Sequence, residues 1–122
     1  NCRTSDRRCK ENAKLNNVEN IEFLCGDVEV TLEKLLEKSG KPDVILVDPP
    51  RRGLDNTTIS NILKLETKKV VYISCNPATM ARDLKMLEGK YIIEKIQPVD
   101  MFPYTSHVEC CSVLKLKESI EI

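Results

Sequence analysis

The sequence predicts an α/β fold, with a mostly parallel sheet, helices on both faces and an antiparallel pair of strands at the C-terminal edge. Helix and strand patterns alternate along the 122 residues in the order α-β-α-β-α-β-α-β-β. Such alternation is typical of parallel sheets covered by helices. Because the last two strands follow one another with no helix between them, they are predicted to pair antiparallel.

The helices and strands of the first half are predicted from the spacing of apolar residues and from residues that favour helix ends. Good helix formers predict a helix over Asp6–Asn16, and the apolar run Ile21–Cys25 predicts a short strand. Leucines at positions 32, 35 and 36 recur at helical spacing. Val44–Val47 is a continuous run of β-forming residues, as expected of a strand covered on both faces.

The second half contains two helices with clear start signals. Asp55 can cap one helix, and Asn76 followed by Pro77 can start the other. The apolar residues that define the core faces of these helices are Ile59, Ile62, Leu63, Met80, Leu84 and Leu87. Three runs of strand formers predict the remaining strands: Val70–Ser74, Tyr91–Val99 and Val108–Leu116.

The composition excludes several classes of protein. Hydrophobic residues make up 41% and charged residues 31%, which is typical of a globular chain. Nineteen Lys and Arg balance nineteen Asp and Glu, so a strongly basic, histone-like binder is excluded while a local basic patch stays open. The apolar runs fall far short of the ~18 residues of a membrane span. We therefore expect a single domain over residues 1–122 with no membrane partner.

Six cysteines, at positions 2, 9, 25, 75, 110 and 111, are predicted to be reduced thiols of a cytoplasmic protein. The sequence has no CxxC pair and no signal segment. Cys110 and Cys111 are adjacent on a predicted strand and so point to opposite faces. Because the potential ligands are not clustered, no zinc or iron–sulfur site is predicted.

The first predicted element is a helix rather than a strand. A doubly wound domain normally begins with a strand and a glycine-rich turn that receives the cofactor. The four glycines of this chain form no G-x-G-x-x-G turn. Either the fold does without these features or they precede Asn1, and we expect the latter.

Two residues carry the strongest chemical signal. Cys75 ends a predicted buried strand just before a helix N-terminus, where the partial positive charge favours the thiolate; this makes it a candidate nucleophile. The alternative is a small residue that fills a turn. Glu109 shares one strand face with Thr105 and His107, the only histidine, so it is a candidate general base. The alternative for Glu109 is an edge-strand salt bridge.

Asp48 follows the most apolar strand, where its carboxylate can accept a hydrogen bond from a ligand N–H. Two prolines stiffen the loop behind it. A turn or capping role is the alternative, and Asp27 has a similar position with a weaker case. Arg51, Arg52 and Arg82 are candidates for phosphate contacts, with a solvated surface as the equal alternative.

Three segments together resemble a known family. Asp48–Gly53 (DPPRRG), Ser74–Leu84 (SCNPATMARDL) and Asp100–Glu109 (DMFPYTSHVE) are similar, in this order, to the C-terminal catalytic domain of the S-adenosylmethionine-dependent RNA (uracil-5-)-methyltransferases. The resemblance runs from about Glu11 to the end of the last strand. It implies a partial Rossmann-like class I methyltransferase domain, with sheet order 3-2-1-4-5-7-6 and the first strands missing. An exposed sheet edge and self-association are then expected.

The resemblance also implies roles for individual residues. By motif matching, Cys75 adds to C6 of uracil and Glu109 removes the C5 proton. Asp48 lies by the methyl donor and the target base, and its carboxylate can accept a hydrogen bond from the N3–H of that base. Asp27 approaches the adenine end of the cofactor. Arg51 and His107 are the remaining candidates for substrate contacts.

The implied substrate is a uridine flipped out of RNA, with ribosomal RNA favoured over transfer RNA. Because the glycine-rich region of the family is absent from this sequence, the chain alone is expected to be inactive and to bind S-adenosylmethionine weakly or not at all. Two alternatives stay open. One is a methyltransferase that acts on an exocyclic amine without a covalent intermediate, and the other is a non-catalytic module.

Overall fold

The computed structural model describes residues 2–24, 28–100 and 108–117, with the backbone alone for residues 2–6 and 28–29. The chain divides into two compact units, residues 1–40 and 41–122. Two compact units can belong to one domain or to two, so the single domain over residues 1–122 stays a prediction.

The first unit contains two helices. Helix α1 spans Cys2–Leu15 and begins earlier than predicted, while α2 spans Val28–Ser39 and confirms the helix predicted from the leucine spacing. The strand predicted at Ile21–Cys25 is wrong: residues 21–24 have no regular structure, and Cys25 lies outside the described residues. A strand exists only through hydrogen bonds to a neighbour, and no described strand pairs with this segment.

The second unit confirms the predicted elements to within a residue or so at their ends. They are β1 (Val44–Val47), α3 (Asn56–Leu65), β2 (Lys69–Ser74), α4 (Pro77–Leu87), β3 (Tyr91–Val99) and β4 (Glu109–Leu116). Both predicted caps are present. The Asp55 carboxylate accepts a hydrogen bond from the Thr58 N–H at 2.8 Å, and the Asn76 side chain accepts one from the Ala78 N–H at 3.1 Å.

The described strands form one sheet in the order β1-β2-β4-β3. Strands β1 and β2 pair in parallel, and β4 pairs antiparallel with both β2 and β3. Three strands therefore run in one direction and β4 runs against them, which confirms the mostly parallel sheet with an antiparallel pair at its C-terminal edge. The order corresponds to positions 4-5-7-6 of the expected methyltransferase sheet. The last strand of the chain thus lies between β2 and β3.

Helices α3 and α4 supply the apolar side chains that cover one face of this sheet. The buried core comprises Ile59, Ile62, Val70, Tyr72, Met80, Leu84, Leu87, Tyr91, Cys110 and Leu114. Each fully buried aliphatic or aromatic side chain of this kind contributes roughly 1.5–3 kcal/mol. Val70 and Tyr72 of β2 pack in this core with Met80, Leu84 and Leu87 of α4. The core therefore holds together the strand and the helix that flank Cys75.

Strand β1 differs from the prediction of burial on both faces. Ile45 and Val47 pack against the core, but Val44 and Leu46 are 51% and 61% exposed. Strand β1 lies at one end of the described sheet, so only one of its sides has a described partner strand. Exposed and half-buried side chains alternate along β1, so one face of the strand packs against the core and the other is exposed; a run of four apolar residues does not reveal this, because β-branched residues are favoured in strands of either kind.

Candidate active site

The end of β2 and the start of β4 bring the two strongest sequence candidates together. Ser74, the last residue of β2, is the register partner of Cys110 in β4. The described ladder between β2 and β4 ends at this pair. Cys75 follows Ser74 in the chain and Glu109 precedes Cys110, so both residues lie at the same end of the two strands.

The burial pattern gives the side of the sheet on which these side chains lie. Ser74 and Cys110 are buried against the helix-covered face, whereas Cys75 and Glu109 are both half-buried. Since side chains alternate between the faces of a strand, Cys75 and Glu109 are expected on the face opposite to α3 and α4. The thiol is accordingly not enclosed by the core.

Asp48 lies at the same edge of the sheet. It follows Val47, the register partner of Tyr72, and it is exposed. Because β1 and β2 are parallel neighbours, Asp48 and Cys75 both follow the carboxyl ends of their strands, where open α/β sheets bind ligands. Arg51 is also exposed and lies in the loop behind Asp48.

Two sequence candidates lie outside the described residues. They are Asp27, predicted near the adenine end of the cofactor, and His107, predicted to face the same side as Glu109. Their proposed roles stay predictions.

A set of polar side chains on α4, which the motif analysis did not predict, holds the loop after β1. Asn76 Nδ2 and Thr79 Oγ1 donate to the Arg51 carbonyl at 3.1 and 2.8 Å. Arg82 Nη2 donates to the Arg52 carbonyl at 2.7 Å. We call Asn76, Thr79, Arg82 and Asp83 the clamp. Positions 76, 79 and 83 share one helix face, and this spacing is the sequence signal that could have revealed it.

The guanidinium of Arg82, a sequence candidate for phosphate contacts, already has hydrogen-bond partners within this clamp. Besides the Arg52 carbonyl, its guanidinium lies 3.1 Å from Asp83 Oδ1. Its Nη2 also approaches the Leu54 carbonyl at 3.4 Å. The guanidinium therefore stabilises loop and helix rather than offering its full set of donors to a phosphate.

The buried Asp83 carboxylate is fully hydrogen-bonded. Its Oδ2 accepts from the Tyr72 hydroxyl at 2.5 Å and from the Leu54 N–H at 2.8 Å, and its Oδ1 accepts from Arg82. Burial first, and then the hydrogen bond to Asp83, raise the pKa of Tyr72 well above its ordinary range, so the hydroxyl stays protonated and donates. Both oxygens of this buried carboxylate thus have hydrogen-bond donors, as a buried polar group requires.

The described cysteines differ in environment. Cys9, Cys75, Cys110 and Cys111 are free thiols. Burial, followed by the neighbouring Cys111, raises the pKa of Cys110 above its ordinary value, so that thiol is protonated at neutral pH. Cys110 is therefore a packing residue, whereas the Cys75 and Cys111 thiols are half-buried.

A cleft of about 630 Å³ lies elsewhere, at the amino end of β2. Lys68, Lys90, Lys115 and Lys117 line it together with Glu66, which pairs with Lys90 at 3.0 Å. Ligands of open α/β sheets bind at the carboxyl ends of the strands, so this cleft is at the wrong end for the chemistry.

No group of three or more His, Cys, Asp and Glu side chains within the described residues is placed to hold a metal ion. No helix in the described part of the chain has the length and apolar character needed to cross a bilayer.

The strand order, with an antiparallel strand inserted between the last two parallel ones, and the motif loops at its carboxyl edge define a class I methyltransferase fold. The profile described as tRNA (Uracil-5-)-methyltransferase matches residues 5–117. The chain belongs to this family.

Individual relatives agree with that assignment. An uncharacterized RNA methyltransferase of Bacillus cereus is 49% identical over 89% of the chain, and one of Fusobacterium nucleatum is 50% identical over 88%. The chain spans about a quarter of the length of each of these curated relatives, 24% in both cases.

Solved structures support the same fold. The Pyrococcus abyssi tRNA (uracil-54, C5)-methyltransferase, in complex with S-adenosyl-L-homocysteine, matches with a TM-score of 0.76 and 37% identity over 92% of this chain and 26% of that one. The complex of M1.HpyAVI with SAM matches with a TM-score of 0.62 at 15% identity, over 80% of this chain and 54% of that one; this shows the fold alone.

Proposed function

We propose that this chain carries the nucleophile and the base of an enzyme that methylates C5 of uridine in RNA, with S-adenosylmethionine as the methyl donor. One observation supports the proposal: the register pair Ser74–Cys110 ends the ladder of β2 and β4, and Cys75 and Glu109 are the next residues beyond it. Family membership supports the reaction, and the S-adenosyl-L-homocysteine bound to the Pyrococcus abyssi relative supports the donor.

The chemistry explains why this pair is needed. Uracil C5 is a poor nucleophile until a group adds to C6. The Cys75 thiolate forms a bond to C6, and the electrons of the C5–C6 double bond become an enolate that is nucleophilic at C5. C5 then bonds to the methyl group of S-adenosylmethionine as the methyl–sulfur bond breaks, and the electron pair of that bond leaves with the sulfur of S-adenosyl-L-homocysteine. Glu109 then takes the C5 proton, the double bond re-forms, and the bond between C6 and Cys75 breaks to return the thiolate.

Asp48 is proposed to orient the base. Its carboxylate is exposed at the end of β1 and can accept a hydrogen bond from the uracil N3–H. It also stands at the carboxyl edge where ligands of such sheets bind, so the same residue borders the methyl donor. Arg51 and His107 are proposed to contact the RNA, and Asp27 the adenine end of the donor.

The proposed substrate is a uridine that leaves the base stack, since C6 must be open to attack from one face of the ring. The sequence expectation favours ribosomal RNA, whereas the family name and the Pyrococcus abyssi relative refer to tRNA. Methyl transfer to each RNA class measured separately decides between them. A cytoplasmic location is proposed as well, supported by the free thiols of the described cysteines.

RNA that contains 5-fluorouridine tests the covalent step. Fluorine at C5 cannot be removed as a proton, so after methyl transfer the protein stays bonded to C6 of the base. We expect a stable protein–RNA adduct that mass spectrometry maps to Cys75, using the protein at its full natural length. An adduct mapped to another residue, or none in the presence of the methyl donor, contradicts the proposal.

The 122-residue chain by itself is expected to bind S-adenosylmethionine weakly, with a dissociation constant above the micromolar range. The reason is that its sequence has no glycine-rich turn to receive the donor. Isothermal titration of the isolated chain measures this, with the full-length protein as the positive control. Micromolar binding by the isolated chain contradicts the expectation.

The isolated chain is also proposed to self-associate through β1. The exposed Val44 and Leu46 lie on a strand that has one described neighbour, and such strands pair readily with other chains. Light scattering is expected to show dimers or larger species that Leu46→Lys reduces. Leu15→Lys, at a 79% exposed leucine of α1, is the matched control. A monodisperse monomer of the unmodified chain contradicts this proposal.

A further inference from the structure

We infer that Asp83 is a positioning residue, which fixes the loop carrying Asp48 relative to the strand end carrying Cys75. This inference deepens the proposed function and rests on it. Asp83 lies on α4, and the groups that it contacts belong to Tyr72, Leu54 and Arg82. Its effect is exerted through the two segments that it joins.

The contacts of one oxygen atom connect the two segments. Asp83 is 0% exposed, and its Oδ2 accepts hydrogen bonds from the Tyr72 hydroxyl on β2 and the Leu54 N–H in the loop. Tyr72 lies on β2, and Cys75 follows the end of that strand three positions later. The carboxylate is thus a direct connection between strand β2 and the end of the Asp48 loop.

Gly53 shows how closely the loop approaches this carboxylate. It has a φ of +82°, and a Cβ added there would lie 2.5 Å from Asp83 Oδ2 and 2.8 Å from Arg82 Nη2. Real Cβ atoms do not approach other atoms so closely. Glycine is therefore required both by the left-handed backbone and by the contact with Asp83 and Arg82.

The rest of the loop is too stiff to absorb a displacement at this end. Pro49 and Pro50 fix two backbone angles directly after Asp48. The clamp residues Asn76 and Thr79 hold the next carbonyl, that of Arg51. Asp83 belongs to the same helix as Thr79, so its hydrogen bonds to Tyr72 and Leu54 keep this clamped loop in one position relative to β2. Misplacement of a reacting group by about 1 Å lowers a rate by about 100-fold.

Two substitutions test the inference in the full-length protein. Asp83→Asn keeps the shape of the side chain but replaces one acceptor oxygen by an NH2 group. Gly53→Ala adds a methyl group that collides with the Asp83 carboxylate from the loop. Gly40→Ala is the matched control for backbone strain, since Gly40 has a φ of +76° and nothing within 4 Å of an added Cβ. Asp43→Asn is the control at an exposed carboxylate.

The readout is the rate of adduct formation on 5-fluorouridine RNA at saturating RNA and donor, with RNA affinity and thermal unfolding measured in parallel. We expect Asp83→Asn and Gly53→Ala to slow adduct formation by about 100-fold, with RNA affinity kept. Gly40→Ala and Asp43→Asn are expected to keep the rate of the unmodified protein.

Other outcomes overturn the inference. If both test variants form the adduct at the normal rate, or lose activity only in proportion to unfolded protein and lost RNA binding, Asp83 has no positioning role. If Asp83→Asn does not fold, the comparison of the adduct-formation rates of Gly53→Ala and Gly40→Ala tests the inference by itself. An unmodified protein that forms no adduct overturns the proposed function and this inference with it, whereas a normal adduct with unaffected variants overturns the inference alone.

Discussion

Replacement of Cys75 by alanine is expected to abolish methylation of RNA by the full-length protein, with a loss of at least about a thousandfold. The physical reason is that C5 of uracil has no nucleophilic character until a thiolate adds to C6. The neighbouring Cys110 thiol cannot replace the missing sulfur, because it is buried and its pKa is raised by that burial. Transfer of a labelled methyl group to RNA measures the loss.

Cys111→Ala is the matched control for this experiment. Cys111 is also a half-buried free thiol of the same sheet, paired with Ile73 in β2, and it has no proposed role. Its replacement is expected to leave methylation within a few fold of normal. If Cys75→Ala retains methylation, the covalent mechanism is wrong and the exocyclic-amine methyltransferase becomes the better explanation, since that chemistry needs no thiol. If the full-length protein methylates no RNA at all, the non-catalytic alternative gains support.

Glu109→Gln is expected to give the opposite phenotype: the covalent adduct forms but is not released. Glutamine keeps the size of the side chain but cannot take the C5 proton, so multiple turnover falls by about 100- to 10,000-fold. Methylated RNA bonded to Cys75 should then accumulate even with ordinary uridine. Denaturing electrophoresis of the protein with labelled RNA detects that product.

Glu94→Gln provides the control for the second experiment. Glu94 is an exposed glutamate at the irregular step of β3, where the register shifts between Ile93 and Lys95. Its replacement should neither trap an adduct nor slow turnover. Normal turnover by Glu109→Gln would mean that another group removes the proton. Loss of adduct together with turnover would assign Glu109 to the addition step instead.

The local features of this chain were predictable from its sequence. The caps Asp55 and Asn76 and the bounds of β3 were all predicted, because each depends on hydrogen bonds or side-chain spacing within a few residues. The candidates Cys75 and Asp48 were found for the same reason, since each directly follows a strong strand signal. The strand predicted at 21–25 failed because pairing depends on a neighbour that is distant in sequence.

The sequence by itself determined which residue types stand at the ends of the strands, because the motifs and the apolar runs that precede them are local. Only the tertiary structure decided that β4 enters between β2 and β3, which brings the start of β4 to the end of β2 although Cys75 and Glu109 are 34 positions apart in the chain. It alone also showed that Asp83 joins β2 to the Asp48 loop. The physical reason is that strand order and buried hydrogen bonds arise from packing between distant segments, which no local spacing encodes.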